Sequence, residues 1–332
     1  MSSISIQEYG GKIDVMNDNS VRETTLGERF YDFRVENLEP VLFDLESRYR
    51  NAMLPYCIWI LSTGAGGGAC LVTSSAFPSG SAPSIMLGVL AFISFTVCTV
   101  TIVLASTRLS VFKSTFRYEL FSRCVNFCAP ALQIIPKWFV SKNKFTSSGL
   151  YTSRPDYYSG RNLADGMIGE THVSFSEVWA GYTLSRKYSF YKIADRGNLF
   201  NGFCCTLFYR NLDIPETFII PSFFSLFSEN ISALTKELSY NQEFDEDYYI
   251  YTRESPCISR FVGPLIPHIL SIIRETGNYP IISMRSKTIF MAFPENTSHF
   301  EPRITGKLKS MRPVEKYCMI LSMCTEIAEI NF

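Results

Sequence analysis

The chain has 332 residues, 46% hydrophobic and 19% charged, with 31 Lys+Arg balancing 31 Asp+Glu. That length can bury one or two cores, and the composition excludes a disordered, collagenous or disulfide-knot protein. Zero net charge argues against a general nucleic-acid binder.

Residues 1–27 form a polar N-terminal tail containing Gly10-Gly11, with no early apolar core that would mark a cleaved signal peptide. From 28 to 50, Phe30, Phe33, Leu38, Leu42 and Leu45 recur every three to five residues. That spacing predicts a cytoplasmic amphipathic helix, kinked or restarted at Pro40. Its apolar stripe packs on the domain that follows or on an oligomer partner.

The next segment carries the strongest signal. No charged residue or histidine lies between Arg50 and Arg108, a run of 57 residues. At the chain average that run would hold about eleven charges. Residues 53–107 read as a transmembrane hairpin with spans at about 53–76 and 85–106. The second is the clearer: Ile85–Leu104 is IMLGVLAFISFTVCTVTIVL, twenty uncharged residues. As helix it is roughly 30 Å long, the thickness of a bilayer's hydrocarbon core. In the first span, Gly64 and Gly68 form a small-xxx-small face that lets a helix approach closely. The approaching helix is either the second span or a second copy of the chain.

Gly64–Ala69 also fits the glycine pattern of a dinucleotide-binding turn. That turn needs an acid about twenty residues on, and the first one is Glu119, so no cofactor is expected. The uncharged linker 77–84 joins the spans, while Arg48, Arg50, Arg108, Lys113 and Arg117 flank them. By the positive-inside rule both termini face the cytoplasm.

Residues 108–144 hold seven bases and one acid, with Leu109, Phe112, Phe116 and Leu120 in a helical stripe. This basic juxtamembrane segment is expected to lie on the anionic inner leaflet, with Arg108, Lys113, Arg117 and Arg123 at the lipid surface. Residues 145–332, with 18 bases and 20 acids, read as a soluble domain. Strand patterns cover 171–175, 201–208, 217–220, 248–251, 281–284 and 288–293, the last two as a hairpin around Arg285-Ser286-Lys287. Helical patterns cover 224–238, 259–274 and 314–330. The class is α+β, a two-helix hairpin followed by a cytoplasmic domain with a mainly antiparallel sheet and flanking helices.

A series of short motifs runs through this part. It comprises Tyr157 with Gly166, Gly169-x-Thr171-x-Val173-x-Phe175-Ser176-Glu177, Leu199-Phe200-Asn201-Gly202-Phe203, Ile219-Ile220-Pro221, Tyr248-x-x-Tyr251 and Phe300-Glu301-Pro302. With two spans upstream, residues 110–310 or so resemble the bacterial family called domain of unknown function 3137. The stretch Ser259–Pro264 departs from the family's pattern at the start of a helix. The resemblance implies a bacterial membrane protein and supplies no activity, cofactor or catalytic residue.

The residues themselves offer little chemistry. The ten cysteines form no CxxC, and Cys204-Cys205 on a strand must point to opposite faces, so core packing is expected rather than a metal site or a disulfide. Three histidines are present. His172 and Ser174 share a strand face about 7 Å apart, too far for a direct hydrogen bond. With Glu177 they are the catalytic candidates, against the plainer reading of a solvated strand face. Glu243, Asp245, Glu246 and Asp247 read as a solvated turn, since a calcium loop's spacing is missing. Gly166, Gly169 and Gly202 read as turn or close-approach positions.

The expectation is a multi-pass protein of the bacterial cytoplasmic membrane that works as a scaffold or adaptor. Its cytoplasmic domain binds a protein or lipid partner at the inner leaflet, with homo-oligomerisation open and nucleic acid excluded. The alternative is a membrane-anchored hydrolase acting on a lipid or peptide. An oligomeric pore ranks last, because only Ser and Thr supply polarity in the spans.

Overall fold

The computed structural model describes residues 26–151, 154–184, 195–224, 231, 233–295 and 312–332. Helix α1 (Leu26–Phe33) passes through a wide π turn (Arg34–Leu38) into α2 (Glu39–Ser74), and α3 (Ala82–Cys128) returns alongside. Pro40 falls in the first turn of α2, where its missing N–H costs least, and the wide turn precedes it.

Contacts run the length of this pair. Ser94 Oγ donates to the Thr63 carbonyl at 2.6 Å, the Tyr49 and Phe112 rings lie 4.4 Å apart, and Phe33 stacks on Phe127 at 4.1 Å. Close approach in the apolar part occurs at Gly67, where an added Cβ would meet Ser94 Cβ at 3.3 Å. Gly64 has only Cys98 Sγ at 4.0 Å, and Gly68 has no neighbour within 4 Å. The small-residue face therefore packs within the hairpin, one position away from the expected pair.

Neither helix breaks where the sequence reading divided it. The amphipathic residues 28–50 continue into the first apolar run, and the basic residues 108–128 continue α3 on its own axis. No Gly or Pro stands at 50–53 or 104–108 to stop either helix. The stripe expected to rest on lipid is spent on protein: Phe116 and Leu120 are buried in the core and Phe112 packs on Tyr49. That corrects the picture of a separate helix lying flat.

Beyond α3 the described residues build nine strands in one antiparallel sheet. They are β1 (Leu132–Ile135), β2 (Tyr157–Ile168), β3 (Thr171–Leu184), β4 (Asp195–Tyr209), β5 (Ile214–Pro221), β6 (Thr235–Glu237), β7 (Tyr248–Thr252), β8 (Ile281–Ser286) and β9 (Thr288–Pro294). Their spatial order is β1-β2-β3-β4-β9-β8-β5-β7-β6. All six expected strands form, and the class is α+β. The expected helix over 224–238 falls partly outside the described residues, and Thr235–Glu237 is a strand paired with β7. The apolar pair Leu234 and Leu238 has helical spacing, but Leu238 stays exposed and ladder pairing decides the local structure.

Among the described residues the further helices are α4 (Lys142–Ser147), α5 (Gln242–Asp247), α6 (Ile266–Thr276) and α7 (Arg312–Ala328). The departure at Ser259–Pro264 is visible, because a π turn (Ile258–Val262) and a 3-10 turn (Gly263–Leu265) precede α6.

Two apolar layers cover the sheet. One joins α1, the C-terminal part of α3, α6 and α7 to Val173, Phe175, Phe203, Cys205 and Met291. The other joins Phe145 of α4 to Val178, Cys204, Phe218 and Phe290. Cys204 and Cys205 thus enter opposite layers, as strand alternation requires.

An ion pair between His268 Nδ1 and Glu326 Oε2, 3.1 Å apart, ties α6 to α7. The His268 hydrogen bond holds the Glu326 carboxyl below its usual range. A depressed carboxyl stabilises the fold above its unfolded pKa, and that contribution is lost as pH falls through the folded value. Because Glu326 is half exposed, Glu326→Gln is expected to cost under about 1 kcal/mol at pH 7. In thermal melts the difference from wild type should begin to shrink as pH drops below the ordinary carboxyl value of 4.5 and vanish only below the depressed folded value.

Candidate functional site

The β2–β3 hairpin turns at Gly169-Glu170, with Gly169 at φ +56°, and this sets Asp165 opposite Ser174 and Met167 opposite His172. A bulge between Arg161 and Ala164, with Asn162 at φ +58°, shifts the register of β2. It turns Asp165 toward the face that carries Ser174. Ser141 caps α4 by accepting from the Lys144 N–H at 3.3 Å, which places Lys144 over the same face.

Four polar side chains meet there. Lys144 Nζ donates to Ser174 Oγ at 3.0 Å, Ser174 Oγ donates to Asp165 Oδ1 at 2.5 Å, and His172 Nε2 lies 3.3 Å from Asp165 Oδ2. Hydrogen bonds to charged groups of this kind contribute about 1.5–3 kcal/mol each when shielded from water. The order of the groups decides what they can do. In a serine hydrolase triad the imidazole stands between hydroxyl and carboxylate. Here the carboxylate stands between hydroxyl and imidazole, so the Ser174 O–H is already committed as a hydrogen-bond donor to Asp165 and His172 does not reach it. Ser174 is also 1% exposed.

Glu177, the third candidate, is elsewhere. It lies on the opposite face of β3 and ion-pairs with Arg161, directly across the ladder. The Arg161 guanidinium carbon sits 4.7 Å from the Trp179 ring centroid. The structure therefore joins His172 and Ser174 through a residue the sequence reading passed over, adds Lys144, and removes Glu177. The remaining histidine, His299, lies outside the described residues, as do Phe300-Glu301-Pro302.

Six of the ten thiols are buried, while Cys57 is exposed and Cys70, Cys98 and Cys128 are partly so. Cys124, Cys128 and Cys318 meet between α3 and α7, where Cys128 Sγ lies 3.5 Å from the Cys318 carbonyl oxygen. Burial pushes the Cys318 thiol well up, so it stays protonated and unreactive. Among the described residues no three His, Cys, Asp or Glu side chains converge as a metal ion would require. The glycines act as close-approach and turn positions: a Cβ on Gly166 would stand 2.9 Å from the Ala131 carbonyl, and one on Gly202 only 2.1 Å from that of Phe293.

The four basic residues expected at a lipid surface are strung along α3. From Arg108 to Arg123 is about 22 Å of helix. Arg117 Nε donates to the Lys113 carbonyl at 3.3 Å, and Arg123 Nε is 4.0 Å from Glu119.

The model of the family described as Protein of unknown function (DUF3137) matches residues 198–330. That match supports assigning this C-terminal part of the chain to the DUF3137 family. No curated protein and no solved structure matches. The DUF3137 stretch covers nearly all of β4 and then β5–β9 with α5–α7, including Gly202, Ile219-Ile220-Pro221 and Tyr248-x-x-Tyr251. The Lys144–Ser174–Asp165–His172 network, Glu177 and the apolar hairpin all precede it.

Proposed function

We propose that this chain is a membrane-anchored adaptor whose α+β domain binds a protein partner beside the bilayer. The observation that carries the reading is the exposure of the hairpin. Phe30–Ser74 and Ala82–Cys128 are long and apolar enough to span a membrane, and their most apolar windows are only 6% buried. Leu61, Val72 and Phe92 are more than 70% exposed. A core helix of a soluble protein buries such residues, and an aqueous surface of this extent would aggregate.

The bases at the open end of the hairpin and the uncharged linker at the other favour cytoplasmic termini. With the resemblance to a bacterial family, they favour the cytoplasmic membrane. In that orientation Arg108 and Lys113 lie at headgroup level, and Arg117 and Arg123 lie on the stalk that carries the domain. The engaged, buried Ser174 hydroxyl favours binding over catalysis. The hydrolase reading keeps one specific support, the hydrogen-bonded Lys144–Ser174–Asp165 array.

Membranes from cells producing the full chain test both readings. The adaptor reading expects carbonate-resistant flotation, protection of the hairpin from protease, and one protein photo-crosslinked to the domain, with a second copy of the chain as a distinguishable product. Release by carbonate would overturn the anchor. Covalent labelling by an alkyl fluorophosphonate, abolished by Ser174→Ala, would favour the hydrolase.

A further inference from the structure

The far edge of the sheet is built to accept another strand. Among the described residues nothing pairs with the outer side of β6, so alternate residues of Thr235–Glu237 direct their backbone N–H and C=O groups outward. Proteins commonly guard such an edge with a projecting lysine. Here Lys236 is drawn back: its ammonium sits 3.3 Å from the centroid of the Tyr249 ring on the neighbouring strand. The guard is folded onto β7, and among the described residues no strand covers the edge.

Two apolar side chains follow the strand directly, Leu238 at 58% exposure and Tyr240 at 90%. Tyr240 holds φ +63°, in the left-handed region, which turns its ring out of the chain's path. With Gln242, Asp245 and Glu246 these residues line a shallow groove of about 430 Å³. The groove wall carries two carboxylates and no base. Glu243 beside it is engaged by Arg274 at 2.7 Å and Glu237 by Ser255 at 2.6 Å, whereas Asp245 accepts only from the Ser239 N–H at 2.9 Å and Glu246 from Gln242 Nε2 at 3.4 Å among the described residues, and neither carboxylate has a cationic partner there.

We infer that this edge binds a cationic, extended peptide segment of a partner protein, which adds a strand to β6 and sets apolar and basic side chains against Tyr240, Leu238, Asp245 and Glu246. Three residues of ladder provide few hydrogen bonds, so the aromatic anchor and the carboxylates must supply selectivity. The inference rests on the adaptor reading and names the class of its partner. It also replaces the solvated-turn reading of residues 243–247.

The test uses the full chain in neutral phosphatidylcholine nanodiscs and a fluorescent eight-residue peptide of alternating Lys and Val, followed by anisotropy. A Glu–Val peptide and empty nanodiscs are the controls. Tyr240→Gly removes the ring at a position whose backbone suits glycine, and Glu246→Lys reverses an exposed charge, so neither change strains the fold. Binding of the Lys–Val peptide should weaken at least about tenfold in each variant and fall with added salt, and the Glu–Val peptide should not bind. No binding by the wild type, equal binding of both peptides, or a variant that binds like wild type would overturn the inference. Flotation of the same preparations separates failure of this site from failure of the anchor.

Discussion

Gly202→Ala is expected to destabilise the domain by about 3 kcal/mol or more, because the added methyl has nowhere to go. An ideal Cβ at this position stands 2.1 Å from the Phe293 carbonyl oxygen and 2.9 Å from the Glu295 N–H nitrogen. Both are backbone atoms of the partner strand, so no rotamer change relieves the clash. Strands β4 and β9 would have to part where Gly202 faces Pro294, next to the Glu295 N–H bond to the Asn201 carbonyl at 2.8 Å. Urea unfolding of the purified full chain in detergent, followed by near-ultraviolet circular dichroism, would measure the loss. Gly68→Ala, in open space, is the matched control and should leave the midpoint unchanged.

Tyr317→Ala should cost a similar amount, about 3–5 kcal/mol, through a different mechanism. The Tyr317 ring is fully buried between Phe121 of α3, at 5.6 Å, and Phe175 and Phe203 of the sheet, at 5.4 and 5.1 Å between centroids. Its ring touches α3 and the sheet at once, at the centre of the apolar layer that α7 covers. Its removal leaves a cavity at that junction, so the interface between α3 and the sheet should loosen first. Limited proteolysis should cut the variant between residues 128 and 142 well before wild type. Tyr317→Phe keeps the packing and should stay within about 1 kcal/mol of wild type in the same urea titration.

Sequence patterns exposed much of this architecture for identifiable reasons. Strands β4, β5, β7, β8 and β9 are rich in branched and aromatic residues, and the Arg285–Lys287 turn, with Ser286 at φ +51°, joins two of them directly. Strand β2 escaped notice because Gly160, Arg161, Asn162, Asp165 and Gly166 break any apolar alternation. Its glycines answer to tertiary neighbours: a Cβ on Gly160 would meet the Glu177 carbonyl oxygen at 2.4 Å and Phe139 Cβ at 2.6 Å. No local pattern records such contacts.

The polar network was half legible. Once Gly169-Glu170 is read as a two-residue hairpin turn, counting outward places Asp165 opposite Ser174, and the carboxylate could have been found from sequence. Lys144 could not. It arrives from a separate short helix 30 residues away, positioned by the Ser141 cap and by Phe145 buried beneath it. The exclusion of Glu177 follows from strand parity, which was available. Residues 174 and 177 are an odd number apart and point to opposite faces.

The unbroken course of α3 has a mechanical consequence. A flexible tether would let the sheet tumble freely relative to its apolar hairpin, whereas a single helix that belongs to both fixes their mutual pose. Between Ala105 and Thr115 that helix is also held against α2, so deleting one residue, a shift of about 1.5 Å and about 100°, would set the domain against the Tyr49–Phe112 and Phe33–Phe127 contacts rather than turn it freely. Which way the domain faces is thus written in the length of α3 together with the packing of α1 and α2 beside it.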